Sequence, residues 1–210
     1  AAGMGDVGVA NIHDANYCFW NQATYPFAVS NSAIAVTYTP WLKGLDLTDV
    51  YLASLAGYYK LDDEGTQAIS ASLRYFSLGN IQFTDGLGNP LQQYRPREFA
   101  FDAGYSRKLS DKLGIGIALR YINSNLASGQ SASGSTYKAG TAVAGDLSLF
   151  HDGTAGSSNG SGLSWGIALS NLGSKISYTN DASERDFIPA NLGLGVAYVK
   201  AFDESNKVTF

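Results

Sequence analysis

Apolar and aromatic residues recur at every second position from about Ser32 onward, in runs of roughly eight to twelve residues. A cluster of Gly, Asp, Asn or Ser follows each run, as in the stretches Ala68–Phe83 and Glu98–Leu109. Period-two alternation is the pattern of β-strands, and no segment keeps the 3.6-residue apolar period of a helix for long. The pattern therefore predicts an all-β protein with about nine strands, the last of which begins at Lys207.

The two faces of the predicted strands differ in side-chain size. One face of the fifth run carries bulky residues and the other carries small residues and one charge: Ile115, Ile117, Leu119 and Tyr121 against Gly114, Gly116, Ala118 and Arg120. A soluble β-sandwich would coat its outward face with Lys, Glu and Thr. A small, bare face fits the crowded interior of a transmembrane antiparallel β-barrel, whose bulky face meets lipid. The pattern favours this barrel over the soluble sandwich.

Aromatic residues and connections agree with a barrel in the outer membrane of a Gram-negative cell. Tyr and Trp near the strand ends are typical of the girdles at the membrane boundaries; they are Trp41, Tyr51, Tyr59, Tyr75, Tyr105, Tyr121, Tyr178 and Tyr198. Short charged turns alternate with the long links Thr84–Arg97, Ala127–Gly140 and Lys175–Phe187. Short turns are expected at the periplasmic side and long loops at the extracellular side. The Gly/Ser-rich link His151–Gly162 falls on the short side, and we interpret it as a flexible insertion.

Two regions follow from this organisation. Residues 1–30 are predicted to be an N-terminal periplasmic or lumenal segment, and residues 31–210 the N-terminal part of the barrel. Single-chain bacterial barrels have an even number of strands and close on themselves. An odd count that stops at Phe210 predicts an incomplete barrel whose remaining strands lie beyond that residue.

Composition excludes several other classes. Only 15% of the residues are charged, against roughly 25% in soluble domains. No stretch approaches the ~20 apolar residues that a spanning helix needs, so a helical membrane protein is excluded. A net charge of −4 argues against a nucleic-acid partner. Cys18 is the one cysteine, which rules out an intrachain disulfide in this sequence and suggests a buried small side chain.

Motifs of catalysis and cofactor binding lack their context. Gly3, Gly5 and Gly8 match the spacing of a dinucleotide fingerprint, but no strand precedes them and no helix pattern follows. The two histidines, His13 and His151, show no metal-ligand spacing. The paired carboxylates of Asp62-Asp63 lie in a predicted turn and are interpreted as solvated. We expect neither an enzyme nor a cofactor or metal site.

Four charged residues on the small-residue face form the first candidate site. They lie one each on four successive predicted strands and alternate in sign: Arg74, Asp102, Arg120 and Asp146. Because buried charges must be paired, we expect a ladder of ion pairs in the lumen, with a structural role favoured over a transport path. Lys60 on the neighbouring strand could extend the ladder.

Several motifs, taken in order, resemble one family. They are Gly3–Ala10, Phe19–Ala23, Val36–Leu42, Gly57–Leu61, Ser70–Phe76, Tyr105–Leu109, Ala118–Ile122, Ser170–Tyr178 and Phe187–Leu192. Together they resemble the PorV (LptO) family of the type IX secretion system of Bacteroidota, within the FadL-like superfamily. The resemblance implies a FadL-like barrel of about fourteen strands when complete. FadL-like segments usually read Asn-Pro-Ala where this chain has Asn21-Gln22-Ala23, which weakens any inference about a lumenal hatch.

The resemblance also implies partners and a role. PorV-like proteins bind secreted proteins through their type IX C-terminal domain as these leave a SprA/Sov-like translocon barrel, and carry them to an attachment complex that contains a PorU-like sortase. The working surface is then expected on the long loops. Aromatic and arginine side chains are favoured at binding hot spots; the candidates are Tyr94, Arg95, Arg97, Tyr178, Arg185 and Phe187. A FadL-type transporter of hydrophobic small molecules and a barrel that seals the side of a translocon remain open alternatives.

Overall fold

Nine strands form one antiparallel sheet in the computed structural model, which describes residues 7–11, 14–45, 49–132, 135–181, 185–203 and 206–210. They are β1 (Ser32–Pro40), β2 (Val50–Lys60), β3 (Gln67–Leu78), β4 (Arg97–Lys108), β5 (Leu113–Asn125), β6 (Gly140–His151), β7 (Gly162–Gly173), β8 (Asn191–Ala201) and β9 (Lys207–Thr209). Each strand pairs with the next along the chain. The predicted all-β class, strand number and start of the last strand are confirmed. Over the described residues β1 and β9 each pair with a single neighbour, so the sheet is open.

The predicted contrast between the two ends of the sheet is present. Each of the three long links carries a small hairpin; the paired segments are Ile81–Thr84 with Pro90–Tyr94, Ser131–Ala132 with Ser135–Thr136, and Lys175–Ile176 with Asp186–Phe187. A 3-10 turn, Lys43–Leu45, lies in the β1–β2 link at the same end. We call this end of the sheet the long-loop end and the opposite end the short-turn end.

Hydrogen bonds fix the connections at the short-turn end. In the β2–β3 turn, Asp62 accepts hydrogen bonds from the Thr66 hydroxyl and from the backbone N–H groups of Thr66 (2.8 Å) and Gln67 (3.0 Å). The Thr66 hydroxyl first, and then these N–H groups, lower the pKa of the Asp62 carboxyl. The link expected to be a flexible insertion has its own bonds, with Gly153 N–H donating to Ser164 Oγ at 3.1 Å.

The two faces separate as the alternation predicts. On what we call the outer face the bulky side chains are exposed, with Leu119 at 69% and Leu194 at 70%. On the inner face small side chains lie side by side across the sheet, and one such row follows the register Ser106, Gly116, Ser148, Ala168 and Gly193. The outer face is therefore apolar. The side chains of the inner face are small enough for another segment of the chain to pack against it.

The segment that lies on the inner face is the N-terminal one. It forms two short 3-10 helices, Ala15–Phe19 and Gln22–Phe27, capped by Asp14 and Asn21, whose side chains accept backbone N–H groups two residues on. The Tyr25 ring stacks on Tyr58 of β2 with centroids 4.6 Å apart. Cys18 is buried beside them, as expected of a small apolar side chain.

Within the described residues, no helix has the length and apolarity needed to cross a membrane.

Candidate functional site

Three consecutive residues attach the N-terminal segment to the sheet. Asn21 donates through Nδ2 to the carbonyl oxygens of Val9 (2.8 Å) and Leu149 of β6 (2.9 Å) and accepts from the N–H of Ala23 (3.0 Å). Gln22 Oε1 accepts from the Ser70 hydroxyl of β3 at 2.8 Å. The Ala23 N–H also approaches Ser148 Oγ of β6 at 3.2 Å. This tripeptide therefore bridges strands that are three positions apart in the sheet.

Glycines of the inner face make room for this attachment. A Cβ at Gly166 of β7 would lie 2.1 Å from the carbonyl oxygen of Val9, and one at Gly116 of β5 would lie 2.7 Å from the backbone N of Ala23. At Gly104 of β4 it would lie 1.6 Å from Gln22 Oε1. Real side chains do not tolerate such distances. In the sequence these glycines indicated a lumenal face of small residues. In the structure they are the surface against which the N-terminal segment packs.

Next to the segment, the predicted ladder forms one ion-pair network. Arg120 Nε bonds Asp102 Oδ1, and Arg120 Nη2 lies 2.8 Å from Asp146 Oδ2. The Ser72 hydroxyl donates to Asp102 Oδ2 at 3.0 Å. Arg120 and Asp102 are buried, so each charge depends on the other for compensation. In the structure these charges thus lie on one face of the sheet and in contact with one another.

Arg74 is the weakly held member of this network. Its Nη2 lies 3.7 Å from Asp102 Oδ2, and 36% of its side chain is exposed. Its guanidinium lies over the ring of Phe19, 4.9 Å from the centroid. Its Nε is buried, and none of the described residues accepts a hydrogen bond from it.

Lys60 does not extend the ladder. Its Nζ donates to the carbonyl oxygen of Ala28 at 2.5 Å. Lys60 lies at the short-turn end of β2, whereas Arg74 lies farther along β3 toward the long loops. The contact therefore fixes the end of the N-terminal segment rather than the ion-pair network.

Asn171 belongs to the network and was missed in the sequence. The register between β6 and β7 shifts next to Asp146, and Asn171 has a φ of 60° there. Its N–H donates to Asp146 Oδ1 at 2.8 Å, and its Oδ1 accepts from Arg120 Nη1. Asn is enriched in this left-handed conformation, but the sequence gives no sign that a bulge falls at this place.

A cavity of about 400 Å³ lies against the network on the side of the long loops. Its apolar lining comes from Trp41, Leu52, Phe76, Phe99, Ala100 and Ile122. Its polar lining comes from Arg74, Glu98, Arg120 and Asn171. The cavity thus combines apolar walls with the guanidinium groups of two arginines.

The six loop residues predicted to bind partners are not equivalent. Tyr94 and Tyr178 are half-buried, with their hydroxyl groups bonded to Asn125 Oδ1 and to Ser124 Oγ (2.9 Å). The other four candidates are exposed: Arg95, Arg97, Arg185 and Phe187. The two tyrosines therefore fasten their loops to β5, and the exposed four are the ones accessible to a protein partner.

Of the remaining sequence motifs, the structure describes Gly8 and His151. Gly3, Gly5 and His13 lie outside the described residues. Gly8 is packed against Trp20, so closely that a Cβ at this position would lie 2.5 Å from Trp20 Cγ. His151 stacks on Trp165 with centroids 5.5 Å apart. In the part of the chain that the structure describes, no group of three or more His, Cys, Asp or Glu residues could hold a metal ion.

Comparison with known proteins agrees with the resemblance drawn from the motifs. No curated protein matches the chain. The model of one family, described as type IX secretion system protein PorV, matches residues 1–210, the whole of the sequence. The chain therefore belongs to the PorV family and is a component of the type IX secretion system.

Proposed function

We propose that this chain is part of an outer-membrane barrel that binds secreted proteins through their C-terminal domain and shuttles them from a SprA/Sov-like translocon to an attachment complex with a PorU-like sortase. The observation that carries the proposal is the family match over residues 1–210. In this proposal residues 31–210 are the membrane-spanning part, and residues 1–30 are the periplasmic or lumenal segment.

The strands have the length and surface that a membrane requires. Strands β2 to β8 are 11 to 13 residues long, and about 9 to 11 residues suffice for a tilted strand to span the hydrocarbon core. The outer face is continuously apolar, as Leu119, Leu194 and Val196 illustrate with exposures of 66% or more. An apolar surface of this extent in water would promote aggregation, whereas lipid solvates it.

The occupied inner face favours a carrier over a conduit. A transporter of hydrophobic small molecules needs a continuous apolar path, but the N-terminal segment lies directly on the glycines of the inner face. The network of Arg120, Asp102 and Asp146 adds buried charge beside it. Opening a path would break both this network and the hydrogen bonds by which Asn21–Ala23 attaches to the sheet.

The long-loop end offers a surface for a protein partner. Phe187 is 70% exposed, and the Lys175 ammonium lies 4.8 Å from its ring centroid. Arg185 lies in the same loop, and Arg95 and Arg97 lie at the end of the loop between β3 and β4. Exposed aromatic and arginine side chains held by hairpins are suited to bind a folded domain.

Affinity purification of the protein from gently solubilised outer membranes tests this role. The recovered proteins are identified by mass spectrometry for the parent and for Phe187→Ala. The matched control is Phe202→Ala, because Phe202 is also 70% exposed but lies in a turn at the short-turn end. We expect the parent and Phe202→Ala to recover secreted proteins that share a C-terminal domain, and Phe187→Ala to recover several-fold less.

Other results would select the alternatives. Recovery of the barrel alone with an apolar small molecule would contradict the shuttle and favour transport. A translocon barrel recovered at constant stoichiometry, whether or not secretion is blocked, would favour a structural seal over a mobile carrier.

A further inference from the structure

The cavity beside the ion-pair network has the properties of a binding site. Its volume of about 400 Å³ lies within the ~300–1,000 Å³ range of ligand sites. Trp41 enters from the β1–β2 link, and its ring meets Phe76 edge-on with centroids 6.0 Å apart. Among the described residues, those that line the cavity come from the sheet and the β1–β2 link, and none comes from the N-terminal segment.

Arg74 lines this cavity and 36% of its side chain is exposed, so part of the side chain is accessible to a ligand. Asp102, its ionic partner, is already bonded by Arg120 Nε and by the Ser72 hydroxyl. Arg74 reaches Asp102 only at 3.7 Å, and its buried Nε has no acceptor among the described residues. A guanidinium with free N–H groups fits a carboxylate, which can accept two parallel hydrogen bonds. A ligand with an anionic end would satisfy it.

Glu98 adds a requirement that the ligand must meet. Ser124 donates to Glu98 Oε1, and within the described part of the chain no bond reaches Oε2. A ligand beside this carboxylate should carry a hydrogen-bond donor, which a hydrocarbon chain lacks. The apolar walls, including Leu52 and Ile122, call for an apolar group between the two charges.

We propose that the cavity receives the carboxyl-terminal end of the carried protein. The terminal carboxylate bonds Arg74, a backbone N–H of the last residues bonds Glu98, and an apolar side chain lies against Leu52, Phe76 and Ile122. The end of a polypeptide is a chemical group that combines all three features, and capture of a C-terminal carboxylate is a recurrent mode of peptide recognition. The inference rests on the proposed shuttle function, since it names the part of the secreted protein that is bound.

Binding of a synthetic peptide to the purified full chain tests the inference. The probe copies the last eight residues of the secreted protein recovered most abundantly with the parent, and is compared as free acid and as C-terminal amide by fluorescence polarisation. We expect the amide to bind about tenfold more weakly than the acid, because it loses a charge-assisted hydrogen bond. Arg74→Gln should abolish the difference between acid and amide. Arg107→Gln, which removes an exposed arginine near the short-turn end of β4, should preserve it.

The possible results separate the two proposals. Equal binding of acid and amide, or an unchanged difference in Arg74→Gln, overturns the inference. The shuttle function survives this result if the secreted proteins are still recovered, and both fail if none is. A long-chain fatty acid released from the denatured parent but not from Arg74→Gln would also overturn the inference. Arg74→Lys keeps the charge without the fork of N–H groups, so it should show an intermediate acid preference if Arg74→Gln does not fold.

Discussion

The side-chain amide of Asn21 lies 2.9 Å from the carbonyl oxygen of Leu149, which joins two residues 128 positions apart in the chain. Asn21 is 1% exposed, and its second Nδ2 bond goes to Val9 on its own segment. One buried amide thus connects the start of the N-terminal segment, its middle and strand β6. The stability of the segment on the sheet depends on such contacts.

Replacement of Asn21 by Ala should remove the hydrogen bonds that join the N-terminal segment to β6 at this point. Two carbonyl oxygens lose their donor and the Ala23 N–H loses one acceptor, and each buried unsatisfied group costs about 1–3 kcal/mol. We expect Asn21→Ala to lower the free energy of unfolding by roughly 2–4 kcal/mol. Asn21→Asp should be at least as destabilising, because a carboxylate cannot donate to either carbonyl oxygen. Guanidinium titration of the protein in detergent measures both changes; a loss below about 0.5 kcal/mol would contradict them.

A methyl group at Gly166 should push the segment off the sheet. Its Cβ would lie 2.1 Å from the Val9 carbonyl oxygen, a backbone atom that cannot rotate away. We expect Gly166→Ala to cost about 1–3 kcal/mol and to make the N-terminal segment sensitive to protease. Gly145→Ala is the matched control, because the nearest atom to its Cβ would be 3.7 Å away. Limited proteolysis should cut the first variant rapidly and the second at the parent rate.

The arginines of the network should differ strongly in their contribution. Arg120→Met leaves the buried Asp102 with only the more distant Arg74 and Asp146 without its closest cation, and loss of one partner of a buried pair costs about 3–5 kcal/mol. Arg74→Met should cost at most about 1 kcal/mol, because Arg74 is one-third exposed and 3.7 Å from its partner. The same unfolding titration compares them. Equal losses would show that Arg74 carries more of the network than its geometry indicates.

Cys18 should be unreactive while the segment is in place. The side chain is buried, and burial raises the pKa of its thiol, so little thiolate is available to an alkylating reagent at neutral pH. We expect slow maleimide labelling of the native protein and rapid labelling after denaturation. Gly166→Ala should accelerate labelling of the native protein. Rapid labelling of the parent would mean that residues 14–28 leave the sheet readily.

Engineered cysteines at the two ends of the sheet should report the orientation in the membrane. Leu87, which is 89% exposed at the tip of the first loop hairpin, is replaced by Cys for one variant, and the exposed Ser158 for the other. An impermeant maleimide should label Leu87→Cys on intact cells and Ser158→Cys only after the outer membrane is opened. The reverse result would invert the proposed orientation, and labelling of both on intact cells would argue against a membrane span between them.

Much of the sheet could be predicted from the sequence because the period of a strand is local. Alternation alone placed Leu119 on the outer face and Arg120 on the inner face, and turn residues such as Asp62 marked the strand ends. The same alternation put Arg74, Asp102, Arg120 and Asp146 on one face. It also distinguished long from short connections, because glycine and polar clusters interrupt the pattern at the end of each strand.

The contacts between distant residues were decided only by the tertiary structure. Which charge pairs with which depends on register, and a bulge at Asn171, invisible in the sequence, brings this residue to Arg120. Lys60, which on sequence grounds could have extended the ladder, bonds Ala28 instead. The glycines of the inner face marked a crowded surface in the sequence, but the path of Asn21–Ala23 across β3 and β6 determined what crowds it. Periodicity assigns a residue to a face, whereas its partner on that face depends on how remote segments of the chain come together.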